Sequence, residues 1–246
     1  MVITAHRGSS GTAPENTIIA IEKAITDGAD MVEFDVQRTV DGKIVLIHDE
    51  KIDRTTNGTG YVSELDWDYL KTVDAGSWFD PIYAGESIPL LSDALELCKD
   101  RIRINIEMKT SYLDHALIGD VLDLIDKKKC REQTMLTSFH QPITRSIHRR
   151  NPNIKTGYIL NVPLSPRSRI WHSPCSLISI DWMLVNDKLI KVAHQSHKEV
   201  HAWTVNEPST MVSMIQYGVD GIFTDHPALL KSVLRSQHFI LRPPTW

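Results

Sequence analysis

The sequence predicts an α/β chain closed as a (β/α)8 TIM barrel, with a β-hairpin after strand two and an inserted segment at about 50–90. Three observations lead there. Nine short runs rich in Val, Ile, Phe and Thr alternate with stretches of 3.6-residue apolar periodicity almost to the C-terminus, as buried parallel strands joined by helices do. One run folds back through Asp41-Gly42, which leaves eight for the barrel. Neither GxGxxG nor GxxxxGK(S/T) follows the first run, which weakens the nucleotide-binding open sheet that shares this alternation.

The runs cover residues 2–6, 31–36, 44–48, 103–107, 135–138, 155–159, 177–180, 200–204 and 221–224. Helices are expected over 16–27, where Ile18, Ile21 and Ile25 share a face, and over 113–128, where Leu117, Val121, Leu124 and Ile125 do. Others lie near 185–198, 209–217 and 228–234, and Gly28 and Gly218 stand where C-caps belong. Only seven residues separate Val36 from Ile44, too few for a parallel crossover. A two-residue Asp-Gly turn there pairs Val40 with Lys43 and sets Asp35 opposite His48. Glu33 and Asp35 point to one face of their strand, and this register adds His48 to it.

Residues 50–90 have no strand-helix rhythm. They carry polar turns (Thr55-Thr56-Asn57-Gly58) and aromatics (Tyr61, Trp67, Tyr69, Trp78, Phe79), which suit either a lid and substrate wall or a structural subdomain on the barrel rim. The tail at 235–246, with Phe239-Ile240-Leu241 and Trp246, is expected to cover the outside of the barrel rather than contact a partner or membrane. Lys127-Lys128-Lys129 reads as a solvated helix end.

A chain of 246 residues, 41% of them hydrophobic, suits one domain over 1–246. Scattered Gly and Pro, 12 of each, exclude low complexity. With 27 basic against 31 acidic residues the net charge is −4, which offers nucleic acid or an anionic membrane no general attraction. The apolar runs are far below the roughly 20 residues of a membrane span, so no transmembrane segment is expected. Cys98, Cys130 and Cys175 form no CxxC pair, which argues against a zinc cluster or disulfide framework. A soluble, cytoplasmic protein is the expectation. Oligomeric state leaves no trace in the sequence.

The polar residues gather at the C-terminal strand ends, where barrels of this kind place their active sites. His6 and Arg7 follow the first strand, Glu33 and Asp35 end the second, Glu107 and Lys109 the next parallel one, and Trp203 and Asp225 the last two. Glu33, Asp35 and Glu107 make an oxygen-only donor set, suited to Mg²⁺ or Ca²⁺ rather than zinc or copper. Three carboxylates this close could not all ionise cheaply without a cation. His6 and His48 are imidazoles suited to proton transfer, and Arg7 and Lys109 supply charge for an anionic group such as phosphate. The set describes phosphoryl chemistry better than sugar or acyl chemistry. Asp225 reads as a structural strand-end residue, and the other nine histidines as surface or packing residues.

The motifs that carry this site are His6-Arg7-Gly8 with Pro14-Glu15-Asn16-Thr17, Glu33-Phe34-Asp35-Val36, Asp41-Gly42 and His48-Asp49. They continue through Arg54-Thr55-Thr56-Asn57-Gly58, Ile88-Pro89-Leu90, Glu107-Met108-Lys109, Ser138-Phe139, Trp203-Thr204-Val205-Asn206, Gly218-Val219-Asp220-Gly221 and Thr224-Asp225-His226-Pro227. In these motifs the chain resembles the glycerophosphodiester phosphodiesterases, relatives of phosphatidylinositol-specific phospholipase C, from residue 4 to about 234. The resemblance implies a TIM barrel and a metal-dependent hydrolase releasing glycerol 3-phosphate and an alcohol such as choline, ethanolamine or glycerol. It also implies His6 and His48 as the acid/base pair, and Glu33, Asp35 and Glu107 as ligands of one divalent cation. Arg7 and Lys109 become phosphate contacts and Trp203 a wall for the glycerol. Glu15 and Asn16 brace the first loop, and Asp49 orients His48. The rival readings are a lysophospholipase D or phosphoinositide-type phospholipase of the same superfamily, a phosphodiester-binding barrel without turnover, and a generic metabolic barrel enzyme.

Overall fold

In the computed structural model, which describes residues 1–110 and 112–236, eight parallel strands close on themselves. They are β1 (Val2–Ala5), β2 (Met31–Arg38), β4 (Arg103–Met108), β5 (Thr134–Ser138), β6 (Lys155–Leu160), β7 (Leu177–Asp181), β8 (Glu199–Trp203) and β9 (Gly221–Thr224). Each pairs with the next, and β1 closes the ring by pairing with both β9 and β2. β3 (Ile44–Leu46) is the antiparallel return of the hairpin. The (β/α)8 barrel expected from the alternation is the fold found.

Strand parity divides the molecule into an apolar shell and a polar interior. Val32, Phe34, Val36, Ile104 and Ile106 pack outward in one buried cluster with helices α1 (Ile18–Asp27), α3 (Leu91–Cys98) and α4 (His115–Lys128). Ile178, Ile180, Val200, Ala202 and Ile222 belong to a second, with α6 (Asp187–Gln195), α7 (Pro208–Tyr217) and α8 (Pro227–Ser236). The other parity includes Glu33, Asn105, Glu107, Thr137, Ser179 and Trp203, which line one cleft.

The helices differ in detail from expectation. α1 starts at Ile18, because Thr17 is its N-cap and Asn16 takes a left-handed φ of 57° outside it. α4 starts at His115, capped by the Asp114 carboxylate, and Gly28 and Gly218 are left-handed C-caps as expected. α3 and α5 (Gln141–Arg150) were not foreseen. α5 buries little beyond Ile143 and Ile147 amid polar and basic residues, too thin a stripe for the periodicity to announce.

The hairpin register also differs. Val36 pairs with Leu46 and Arg38 with Ile44, so Asp35 faces Ile47 and not His48. The turn holds three residues rather than two. Gly42 N–H donates to the Thr39 carbonyl at 3.1 Å, Thr39 N–H donates to Lys43 at 2.9 Å, and Gly42 sits at φ 82°. This is a type I turn closed by a glycine bulge, and its extra residue shifts the register by one.

Residues 50–90 run over the rim through three short 3₁₀ turns and α2 (Trp67–Leu70), returning at a Val45–Leu90 bridge. They form a third apolar cluster of their own from Val45, Ile47, Ile52, Val62, Leu70, Val73 and Ile88. The Asp74 carboxylate accepts from the backbone of Gly76, Ser77 and Gly85, and Tyr83 Oη–H donates to the Thr12 carbonyl at 2.7 Å. These contacts make a packed rim. Of the C-terminal tail, residues 237–246 lie outside the described residues, as do Phe239, Ile240, Leu241 and Trp246.

Candidate active site

β2 is the longest strand, and its length builds the site. Its start pairs with β1 and its end with β3. Between these pairings, at Glu33 and Asp35, the loop after β1 supplies the missing bonds. Gly8 N–H donates to the Glu33 carbonyl at 3.2 Å, and Asp35 N–H donates to Asn16 Oδ1 at 3.1 Å. Asn16 Nδ2 in turn donates to Asp35 Oδ2 at 2.9 Å, so a single side chain clamps Asp35 at backbone and carboxylate.

Glu33, Asp35 and Glu107 bring carboxylate oxygens within 4.8 Å of one another. Glu33 and Asp35 are buried, and among the described residues Glu33 Oε1 has no hydrogen-bond partner. Burial and the neighbouring Asp35 push the Glu33 carboxyl up to about 8. The same causes, opposed by Lys109, push Glu107 up to about 7. An orphaned buried oxygen beside mutually repelling hard donors fits a divalent cation, which these three residues would hold.

Basic groups flank the cluster. Arg7 N–H donates to Glu33 Oε2 at 2.9 Å, and its guanidinium lies 2.8 Å from Glu15 Oε1 and 3.3 Å from Asp35 Oδ2. Lys109 Nζ sits 2.9 Å from Glu107 Oε1 and 3.2 Å from His48 Nε2. Burial disfavours both cations, yet the surrounding carboxylates outweigh it and hold both pKa values up.

Both histidines are anchored the same way, Nδ1 to a carboxylate. His6 Nδ1 lies 2.7 Å from Asp225 Oδ1, and His48 Nδ1 lies 2.5 Å from Asp49 Oδ1. With Nδ1–H donating to the carboxylate, each Nε2 carries the lone pair, which at His48 accepts from Lys109 Nζ. Burial pulls His6 toward neutrality, but Asp225 and the Glu33 charge outweigh it and raise its pKa. His48 is lowered by burial, with Arg7 and Lys109 adding to the effect. His48 reaches the cleft by a route the register did not foresee. Gln37 Nε2 lies 3.2, 3.1 and 2.6 Å from the carbonyls of Ile47, His48 and Asp49, and so pins the chain as it leaves β3.

Of the predicted site residues, His6, Arg7, Glu33, His48, Glu107 and Trp203 line one cleft, Asp35, Lys109, Glu15, Asn16 and Asp49 bond to members of that set or to one another, and Trp203 meets Phe139 edge to face at 5.7 Å. Sequence reasoning missed the roles of Arg54, Gln37 and Asn206. Arg54 donates to both oxygens of Glu15 at 2.8 Å and to Asp49 Oδ2 at 2.5 Å, joining the first loop to the His48 segment. Its bond to Asp49 chiefly drives that carboxyl down to about 2. Asn206 Nδ2 donates to Asp225 Oδ2 at 2.6 Å and its Oδ1 accepts from Asp225 N–H, so Asp225 orients His6 while itself held fixed. Gln37 had a signal, since it continues the Glu33, Asp35 parity along β2; Arg54 lay within a quoted motif.

The cleft bounded by His6, His48, Glu33, Glu107, Trp203 and Phe139 spans about 480 Å³, part of it open to solvent. Residues 6–229 match the glycerophosphoryl diester phosphodiesterase family. A glycerophosphodiester phosphodiesterase of Bacillus altitudinis is 36% identical over 231 residues, covering 92% of this chain and 94% of its own length. One from Caldanaerobacter subterraneus subsp. tengcongensis is 34% identical over 240 residues, with 95% and 98% covered. Among solved structures, an Oleispira antarctica phosphodiesterase in complex with its product sn-glycerol-3-phosphate matches with a TM-score of 0.91 at 29% identity, over 96% of this chain and 97% of that one. A glycerophosphodiester phosphodiesterase from Agrobacterium tumefaciens strain C58 gives a TM-score of 0.84 at 30% identity, with 94% and 99% covered.

Proposed function

The chain belongs to the glycerophosphoryl diester phosphodiesterase family, and from that premise we propose a metal-dependent hydrolysis of glycerophosphodiesters to glycerol 3-phosphate and an alcohol, with His6 and His48 as the acid/base pair. The observation that carries it is the pairing of two imidazoles, each bonded through Nδ1 to a carboxylate, with a cluster of three carboxylates in one cleft.

In this reading Glu33, Asp35 and Glu107 hold one divalent cation, Mg²⁺ or Ca²⁺. When bound, it supplies Lewis-acid polarisation and charge neutralisation at the phosphodiester. Arg7 and Lys109 contact the non-bridging oxygens, where their charge offsets what develops in the transition state. Trp203 and Phe139 wall the glycerol moiety. His6 borders the inner cleft, and Asp225 strengthens it as a base by stabilising the imidazolium it forms on taking a proton from the nucleophile. His48 also borders the outer groove beyond Lys109, and entering the cycle as the imidazolium it gives its Nε2 proton to the departing alkoxide there, to be reprotonated from solvent. Glu15, Asn16 and Asp49 position these groups, as does Arg54. The three buried thiols suit a reducing cytoplasm, which belongs to the same reading, as does one domain over 1–246.

The test is release of glycerol 3-phosphate from glycerophosphocholine by metal-stripped protein given Mg²⁺, Ca²⁺ or neither, beside lysophosphatidylcholine. His6→Ala and His48→Ala are each expected to lose roughly 10²–10⁴-fold in kcat on the diester. On the p-nitrophenyl ester of glycerol 3-phosphate, whose leaving group needs no proton, His48→Ala should recover most of its rate and His6→Ala should not. Near-normal turnover of the diester by either variant would sink the histidine assignment. Equal losses on the nitrophenyl ester would sink the division of roles.

A further inference from the structure

The cleft does not end at His48 and Lys109. It opens into a groove of about 570 Å³ past Gln37 and Phe139, which continues into a second space of about 620 Å³ between Arg38, Tyr61 and Tyr112. The two parts share Gln37, Glu50, Lys109 and Thr110, so they form one path outward from the reacting centre. With the glycerol against Trp203, this path is where the leaving alcohol must lie.

The charges along the path are unequal in one respect. Arg38 is paired with Asp120 at 2.8 Å, Lys109 with Glu107 at 2.9 Å, and the Asp114 carboxylate caps α4 through the N–H groups of Ala116 and Leu117. Glu50 is exposed, and among the described residues its carboxylate has no hydrogen-bond or ion-pair partner. Its backbone is nonetheless fixed, since Val62 N–H donates to the Glu50 carbonyl at 2.9 Å. The exposed rings of Tyr61 and Tyr112 border the same space. Tyr61 already faces one ammonium, with Lys51 Nζ 4.7 Å from its centroid. An uncompensated carboxylate bordering the same space as two exposed aromatic rings attracts a cation, and a quaternary or primary ammonium most of all.

We propose that Glu50, with Tyr61 and Tyr112, forms a subsite for a cationic head group, so that diesters of amino alcohols are preferred over diesters of neutral polyols. This rests on the phosphodiesterase reading above and adds the identity of the leaving alcohol's class. Glu50 is a specificity residue of the leaving-group side and touches none of the cation ligands proposed here.

The test compares kcat/KM for glycerophosphocholine, glycerophosphoethanolamine and glycerophosphoglycerol in the full chain and in Glu50→Gln and Glu50→Lys. The ratio of choline to glycerol substrate is expected to fall about five- to tenfold in Glu50→Gln, carried by KM, and further in Glu50→Lys. Glu50 is exposed, so neither change threatens the fold. A ratio that stays constant across the three proteins, with all substrates hydrolysed, overturns the subsite and leaves the phosphodiesterase reading standing. Failure of the unmodified protein to hydrolyse any of the three overturns both.

Discussion

A cation entering between Glu33, Asp35 and Glu107 must displace the protons that burial and mutual repulsion make the cation-free cluster retain. The Glu33 carboxyl is held up to about 8 and that of Glu107 to about 7, against an ordinary value of 4.5. Between about pH 5 and 7 the cation-free fold therefore keeps up to two protons that an unfolded chain has released. Each displaced proton makes the apparent binding constant change about tenfold per pH unit. Affinity for Mg²⁺ or Ca²⁺ should thus climb by up to about 100-fold per unit from pH 5 to 7, by about tenfold from 7 to 8, and level off above. Stability follows with a definite sign. Both folded values lie above the unfolded ones, so these protons stabilise the cation-free protein fully below about pH 4.5. That contribution is lost as pH rises through about 7 and then 8. The thermal stabilisation brought by the cation must grow over the same window. The assay is calorimetric titration at pH 6 in two buffers of different ionisation heat, with release approaching two protons per ion and falling toward one in Glu33→Gln. Affinity that stays flat from pH 5.5 to 8, with no proton release at pH 6, would refute the argument.

Two further outcomes follow from contacts outside the cluster. Asp225→Asn removes the carboxylate that offsets burial at His6, so the acid limb of the kcat/KM profile should move to lower pH while kcat falls roughly ten- to a hundredfold; an unmoved limb would disconnect Asp225 from the base. Gly8→Ala places a Cβ 2.6 Å from the Ala20 carbonyl carbon at a φ of 82°, and should lower stability by about 2–4 kcal/mol in denaturant unfolding, with activity falling as Arg7 is displaced.

The barrel and the residues at its mouth were legible because both follow from short-range pattern. Glu33 and Asp35 share a face by the two-residue period of a strand, and His6, Glu107 and Trp203 sit at strand ends by simple counting. What pattern could not supply was the turn type. Asp41-Gly42 is equally at home in a two-residue turn and in a type I turn with a glycine bulge, and only the φ of Gly42, with the Thr39 and Lys43 bonds, decides between them. His48 was placed correctly through a register that does not exist. Its true support is the Gln37 amide gathering three carbonyls, a contact made across the hairpin after the ladder has ended.

The partners of Arg54 were equally hidden, since no spacing rule links an arginine on the rim to Glu15 and Asp49. Its position explains why so long an insertion belongs to the site without covering it. Arg7, Glu15, Arg54, Asp49, His48, Lys109 and Glu107 form an unbroken sequence of ion pairs and hydrogen bonds from the first loop to the cation cluster. Each cation in it lies beside a carboxylate, so under the proposed reaction the charges that would meet a phosphodiester are oriented before substrate arrives and need little rearrangement to act on it. The apolar cluster of residues 50–90 buries Ile52, which shares a 3₁₀ turn with Arg54. Through Arg54 the insertion ties the His48 arm to the β1 loop, so in the proposed reaction its packed core supports the site as the strands do.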